Sequence, residues 1–469
     1  MHHINIPLEI LSLILRHLVE PRREAEPSSD QNLEHLKNAR LVCRQWNQVA
    51  KAHLFGTVVL RHPTEEFEKW NEMLDNRVIK TLARRVIIHS APDDLDDRDY
   101  EEWDLWEQGQ YQQFTASINR ISELKNIKSL HLHFSRRCWG VENTSTWDDD
   151  VEKMSTRQHT LTAVFNAIAQ RVLKHDDVLL IRNLTIENLQ NLPIPDIVSS
   201  DAFKRVIGNV RQLNLMIQEE QNEFGSDQDL YRIERQTFEP FLQRTLLPNF
   251  THQLTSLKLY FKDCWGVAPG YFDGSGLDFI HLKTLTLGGF VIAHDDQFDW
   301  VLSQKALGYL RLDHCYIASH LCFCDNNAKI WKTPTHDWTR QPVGTFGYKE
   351  DTDTVYTYSG RWEAVYDNIR TRLLNLKEFC VHNSEFHDLL FNEPELMENN
   401  GISPYRYIVL ENDLSPTPWI QLDRFMSGKM LYSDESIVDT AADAEEGDNR
   451  AFQELMQVVK RRGDMRLRW

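Results

Sequence analysis

The chain has 469 residues, enough for a sizeable core and more than one domain, and its 70 acidic against 52 basic side chains leave a formal charge of −18. That excess argues against duplex nucleic acid as a partner, because nonspecific affinity there comes from Lys and Arg neutralising phosphates. No apolar run approaches the ~18 residues that would suggest a membrane-spanning helix.

In chain order, Leu8, Leu11, Ile14, Leu15 and Leu18 recur at the spacing of one helix face. Pro7 suits a first helical turn, Glu9 sets negative charge near the positive end of the dipole, and Asn5 is a candidate cap. The aliphatic run is short, with Glu9 before it and Arg16 and His17 after it, and no small-residue cleavage site follows, so it does not read as a secretory leader. After a Glu-, Pro- and Ser-rich break at Glu20 to Gln31, Leu33, Leu36 and Ala39 predict a second helix; Val42, Cys43, Trp46, Val49, Ala50 and Leu54 predict a third. Cys43 reads as a small packed hydrophobe. A unit of roughly 50 residues buries too little of its surface to be comfortable alone, so its remaining apolar side is expected to meet a partner or the rest of the chain.

The succession Pro7, Leu8, Glu9, Ile10, aliphatics to Leu18, then Leu36, Arg40, Leu41, Val42, Cys43, Arg44 and Trp46 resembles an F-box. The resemblance implies a three-helix module that binds the Skp-type adaptor of cullin-RING ubiquitin ligases and leaves the remaining chain to capture a protein target. On that basis the adaptor contact centres on Pro7, Leu8, Ile10, Leu11, Ile14, Leu15, Leu41, Val42 and Trp46, with Leu18, Leu36 and Cys43 supporting the fold. The spacer from Val19 to Leu33 is longer and more charged than usual for the family.

Between this module and the repeats, Asp93 to Glu107 holds nine carboxylates and one Arg, interleaved with Tyr100, Trp103 and Trp106. Such a run reads as a solvated loop, and its aromatics leave open a role in binding a basic peptide. From Arg84 onward one phrase recurs, an apolar residue followed three and five positions later by two more, as in the strands of leucine-rich repeats. It appears at Ile127, Leu130, Leu132; Ile181, Leu184, Ile186; Val210, Leu213, Leu215; Leu254, Leu257, Leu259; Leu282, Leu285, Leu287; and Leu307, Leu310, Leu312. Weaker copies fall at Val86 and Ile88, at Leu376, Phe379 and Val381, and at Tyr405, Ile408 and Leu410. Helical stretches lie between, clearest at His159 to Lys174 with Leu161, Val164, Phe165, Ile168, Ala169 and Val172 on one face.

The predicted fold class is therefore α/β: an N-terminal three-helix F-box, then an irregular leucine-rich-repeat solenoid with a curved parallel sheet. Predicted domains are 1–55 for the adaptor-binding helices, 56–430 for the repeats, and 431–469 for an acidic loop with a C-terminal capping helix. Steps of 54, 29, 44, 28 and 25 residues from Leu132 to Leu312, then 69 to Val381, exceed one repeat in places, which implies rim insertions at Glu142 to Thr156, Asn222 to Arg235, and Cys322 to Arg361. In the last, "TVYTYSGRW" reads as a hairpin around Ser359 and Gly360. Asp434 to Asp448 reads as a mobile acidic loop, and a helix over Ala451 to Lys460 would seal the final repeat with Phe452, Leu455, Met456 and Val459. The architecture, an F-box followed by degenerate leucine-rich repeats, also resembles a broad class of fungal F-box proteins.

Seven cysteines without a paired framework fit free thiols in a reducing compartment, the cytoplasm or nucleus. His314, Cys315, His320, Cys322 and Cys324 are the densest group of possible ligands, but Cys322 and Cys324 are spaced too tightly for the common zinc motif. The alternative is a buried Cys315 with the histidines solvated on the next loop. No nucleophile elbow or phosphate loop appears, and "GSG" at Gly274 to Gly276 reads as a turn. No cofactor or metal is expected, and no catalytic residue.

The sequence thus predicts a non-catalytic substrate-receptor subunit of a Skp-cullin-F-box ubiquitin ligase, presenting the sheet to a protein target. Its rivals are a non-degradative scaffold and a zinc-dependent enzyme built on the His314, Cys315, Cys322 and Cys324 region. Substrate contacts are expected between the inward leucines, at His131, His133, Asn214, Met216, Lys258, Tyr260, Arg311 and Asp313.

Overall fold

The computed structural model describes residues 7–19, 30–61, 64–90, 111–136, 138, 152–219, 233–343, 345, 353–382, 402–403, 406–411, 417–418 and 440–464. The acidic run at 93–107 and most of the insertions expected at 142–156 and 222–235 lie outside the described residues. The chain divides into two compact units, Met1–Ser135 with Trp147–Glu187 and Ser200–Asn209, and Arg136–Thr146 with Asn188–Ser199 and Val210–Trp469.

The first unit opens with α1 (Leu8–Val19), α2 (Asp30–Ala39) and α3 (Arg44–Leu54), the three helices the apolar spacing predicts. Phe55 ends α3, and Gly56 follows because a Cβ there would come within 2.6 Å of the Ala52 carbonyl oxygen. The chain then runs through β1 (Thr57–Leu60), α4 (Thr64–Asp75), α5 (Arg77–Leu82), β2 (Arg85–His89), α6 (Tyr111–Asn119), β3 (Ser129–His133), α7 (Met154–Lys174), β4 (Asn183–Gln190) and α8 (Asp201–Ile207). Strands β1 to β4 pair in parallel, which the intervening helices permit because a parallel neighbour needs a long crossover. Their register stacks Val58, Val86, Leu130 and Leu184 in one column, and Leu60, Ile88, Leu132 and Ile186 in the next. All eight side chains are buried.

Helix α7 starts five positions before the expected His159 and buries Leu161, Val164, Phe165 and Ile168, whereas Val172, assigned to the same stripe, is exposed. Arg171 is buried instead. Its guanidinium donates to the carbonyls of Leu124, Lys125, Ile127 and Leu179, and burial pulls its pKa down to about 10. Just before α7, the buried Glu152 carboxylate lies 2.9 Å from Arg157 Nε and accepts from Ser90 Oγ (2.6 Å) and the Ser135 N–H (3.0 Å). Burial nevertheless holds the Glu152 pKa above the usual carboxylate range.

The second unit contains a helical turn at Pro195–Ser199, then β5 (Gln212–Gln218), α9 (Ile233–Phe241), β6 (Ser256–Trp265), β7 (Thr284–Ile292), α10 (Asp299–Ser303), β8 (Tyr309–Asp313), β9 (Tyr316–Cys324), α11 (Asp325–Trp331), β10 (Thr339–Arg340), β11 (Asp353–Thr357), α12 (Trp362–Arg372), β12 (Glu378–His382), β13 (Tyr407–Glu411), β14 (Thr417–Pro418), a turn at Thr440–Asp443 and α13 (Glu445–Asp464). Strands β5, β6, β7, β8 and β12 are parallel, in that order, and align Leu213, Leu257, Leu285, Leu310 and Phe379 in one buried column.

Strand β7 pairs with β8 along its first half and with β9 at Val291 and Ile292. Gly289, at φ +75°, lets it change neighbours, since a Cβ there would lie 2.7 Å from the Asp263 carbonyl oxygen. This branch departs from one strand per repeat. Strand β13 joins β9 in parallel, so the repeat expected at Tyr405, Ile408 and Leu410 is not the next rung beside β12. Strand β11 pairs antiparallel with β9 and β10, and "SGRW" leads into α12, so no hairpin forms around Ser359 and Gly360. The product is a mixed α/β protein whose sheet is mostly parallel in each unit.

The acidic segment expected to be a loop to Asp448 is helical from Glu445, and Asp448 is fully buried. Its carboxylate sits 2.7 Å from Arg406 Nε and accepts from Tyr407 Oη (2.9 Å) and the Glu363 N–H (2.8 Å), tying α13 to α12 and β13. The helix expected here is present, and Phe452, Leu455 and Val459 are buried on it, with the Phe452 ring 5.4 Å from Tyr366 and 6.4 Å from Phe379.

Candidate docking site and sheet face

Helices α1 to α3 enclose their own small core of Leu11, Leu15, Leu36, Ala39, Val49 and Ala50, with Trp46 and Leu54 packed against it. Ser12 Oγ and His53 Nε2, 3.2 Å apart, link α1 to α3, and the Arg40 guanidinium lies 5.9 Å from the centre of the Phe55 ring. Outside this core, Leu8, Ile10, Leu13, Ile14, Leu41 and Val42 are exposed, Leu41 at 83% and Val42 at 62%. Apolar groups gathered this densely on so small a module form the kind of exposed patch that marks an interaction site.

Of the expected adaptor contacts, Pro7, Leu8, Ile10, Ile14, Leu41 and Val42 lie at the surface. Leu11 and Leu15 are corrections: both are wholly buried, because the α1 face that meets α2 and α3 takes them first. Trp46 is half-buried against the same core. Cys43, assigned to packing, is exposed at the residue preceding α3. Leu13 was missed, since it falls off the stripe on which the periodicity was counted. The Leu18 side chain lies outside the described ones.

The expected substrate face falls within both units. In the first, register sets Arg85, Ile87 and His89 beside Ser129, His131 and His133, and these beside Asn183, Thr185 and Glu187. The Glu187 carboxylate lies 3.1 Å from His131 Nε2 and 2.7 Å from His133 Nδ1. Burial alone would raise its pKa, but the two imidazoles outweigh that and hold it well below the carboxylate range. Glu187 and His89 were missed, although Glu187 follows "LTI" as His133 follows "LHL", so extending the phrase by one residue would have found it.

In the second unit, Asn214, Lys258, Thr286, Arg311 and Cys380 form one row, and Met216, Tyr260, Gly288, Asp313 and His382 the next. The Lys258 ammonium lies 5.6 Å from the Tyr260 ring centre. Asp313 is only 2% exposed and is held by Arg311 Nε at 2.7 Å, so it stabilises the face more than it offers a contact. Burial raises the Asp313 pKa and Arg311 opposes the shift.

Among the described side chains, the ligand group of the enzyme alternative does not assemble. Among the described residues, His314, Cys315, His320 and Cys322 do not bring three ligand atoms together. Cys315 is buried, as expected, and donates to the Leu287 carbonyl at 3.5 Å, while burial pushes its thiol pKa up. The histidines expected on a solvated loop are buried, and burial pulls His314 to about 3 and His320 to about 4. The Cys324 side chain lies outside the described ones.

Residues 4–61 match the F-box-like family. The N-terminal module is thus an F-box-like domain, which supports an F-box protein and implies a role in substrate recognition for SCF-type ubiquitin ligases or in protein interaction. F-box domains bind Skp-type adaptors. A search of curated proteins finds none that matches the chain. Among the described residues, no helix is long and apolar enough to cross a membrane.

Proposed function

We propose that this chain is a non-catalytic substrate receptor of a Skp-cullin-F-box ubiquitin ligase, working in the cytoplasm or nucleus. The observation that carries it is an F-box-like module whose described core leaves Leu8, Ile10, Leu13, Ile14, Leu41 and Val42 at the surface. Those side chains, with Pro7, form the adaptor contact.

The remaining chain is an irregular leucine-rich-repeat domain. Support comes from the strand–helix alternation and the in-register leucine columns within each unit. Its face of His, Asn, Met, Lys, Tyr and Arg side chains suits a protein target, and the net charge of −18 disfavours nucleic acid. The receptor contributes proximity: holding a target lysine near a charged conjugating enzyme raises its effective concentration without a catalytic group on this chain.

Adaptor recovery from cell extract tests the assignment. Ile10→Asp with Ile14→Asp abolishes recovery of adaptor and cullin while the circular dichroism of the chain stays as in the wild type. Undiminished recovery overturns it.

A further inference from the structure

We propose that His131, His133 and Glu187, on the sheet of the first unit, form a binding site for a divalent transition-metal ion of the zinc type. Strand alternation puts His131 and His133, two residues apart on β3, on the same face, and register places Glu187 of β4 directly beside His133. The site is therefore built on paired strands, whose backbone hydrogen bonds fix it before any ion arrives.

Its dimensions fit. One nitrogen from each imidazole and a Glu187 oxygen all lie within 4.8 Å of one another. Zinc bonds of ~2.0–2.2 Å in a tetrahedral set separate ligand atoms by roughly 3.3 Å. Glu187 Oε1 lies 3.1 Å from His131 Nε2 and Oε2 lies 2.7 Å from His133 Nδ1, so each imidazole faces its own oxygen of one carboxylate, which can share an ion between them. His131 Nε2 is buried and, although 3.1 Å from Glu187 Oε1, is not aligned for a hydrogen bond to it. The His89 ring, 4.9 Å from that of His133, adds an imidazole beside the site.

Arg85 supplies the opposing force. Its Nη2 donates to His131 Nδ1 at 2.9 Å, and a guanidinium only donates, so His131 then carries its proton on Nε2. An ion on Nε2 moves that proton to Nδ1, where it faces Arg85, so binding requires this half-buried side chain to swing away. Arg85 thus competes with the metal. A second group, His294, His336 and Asp337, has ligand atoms equally close but is unsuitable: its two imidazoles stack at 13° and 5.1 Å, so their lone pairs lie in separate planes and do not converge.

The test uses the full-length chain, stripped with a chelator and titrated with Zn²⁺ alone against a chromophoric competitor. About one ion per chain is expected; His133→Gln and Glu187→Gln each weaken it about tenfold or more, Arg85→Gln tightens it, and His336→Ala leaves it unchanged. Co²⁺ added to the unaltered chain gives the visible absorption of a four-coordinate N/O site, a readout independent of whether any variant folds. Absence of a stoichiometric ion, absence of that absorption, or equal affinity in the His133 and Glu187 variants overturns the proposal. Adaptor recovery is unaffected in every case, so failure here is separate from failure of the receptor assignment.

Discussion

Leu11 and Ile14 lie three positions apart on α1, yet one fills the interior of the three-helix module and the other stands at its surface. Their substitutions therefore separate folding from docking. Leu11→Ala costs about 2–5 kcal/mol, read from denaturant unfolding, because it leaves a cavity in a small core. Ile14→Asp leaves unfolding nearly unchanged and removes the adaptor. Two histidines set a pH dependence. His314 and His320, drawn by burial to about 3 and about 4, stay neutral in the fold, while the unfolded chain takes up protons below the ordinary value of 6.5. Where the unfolded state binds more protons, stability rises with pH. Stability is therefore full above the unfolded value and declines as pH falls from there towards the folded values. Glu239, whose buried carboxyl is raised to about 7, acts with the opposite sign, so the histidines' share is read as a difference: between pH 7.5 and pH 5 the thermal midpoint should drop less in His314→Asn, which tolerates the φ of +49°, than in the wild type. An unchanged drop counts against His314 as a source.

At the scale of elements, α13 buries the apolar stripe the sequence led one to expect, but its start differs. The apolar spacing of Phe452, Leu455 and Val459 was legible because a helix buries every third or fourth residue. The acidic approach to it was not, because Asp448 is helical and buried only through Arg406, more than 40 residues away, and no local property of a Glu- and Asp-rich stretch announces such a partner. Removing Asp448 leaves a buried guanidinium without its counter-charge, so Asp448→Ala is expected to destabilise by about 3–5 kcal/mol. Phe452→Ala, which withdraws a ring from Tyr366 and Phe379, should cost a similar ~3–5 kcal/mol. Denaturant midpoints of both variants, with unchanged slopes, check these values. The hairpin expected around Ser359 fails for a related reason. Alternating β-formers specify a strand, and β11 is one, but they do not name its partner, which is β9, some 30 residues upstream.

For the molecule as a whole, the proposed receptor role divides the labour between an N-terminal module that would meet the ligase and a sheet face that would meet a target. Lys258 is the cation to test on that face, since Arg311 is committed to Asp313 and its reversal would strand a buried carboxylate. Lys258→Glu is expected to weaken recovery of bound target about tenfold while adaptor recovery holds, a loss of ~1.4 kcal/mol. Equal target recovery counts against that face.

The F-box-like helices, the leucine phrases and the parallel strands were readable directly from the chain, because helical and strand periods are local and each phrase repeats the same side-chain alternation. Three things awaited the folded arrangement: which aliphatics of α1 face inward, where β7 exchanges β8 for β9, and that Glu187 meets two histidines of β3. Each depends on neighbours distant in sequence. Periodicity tells which residues share a face; packing and strand pairing decide what that face touches.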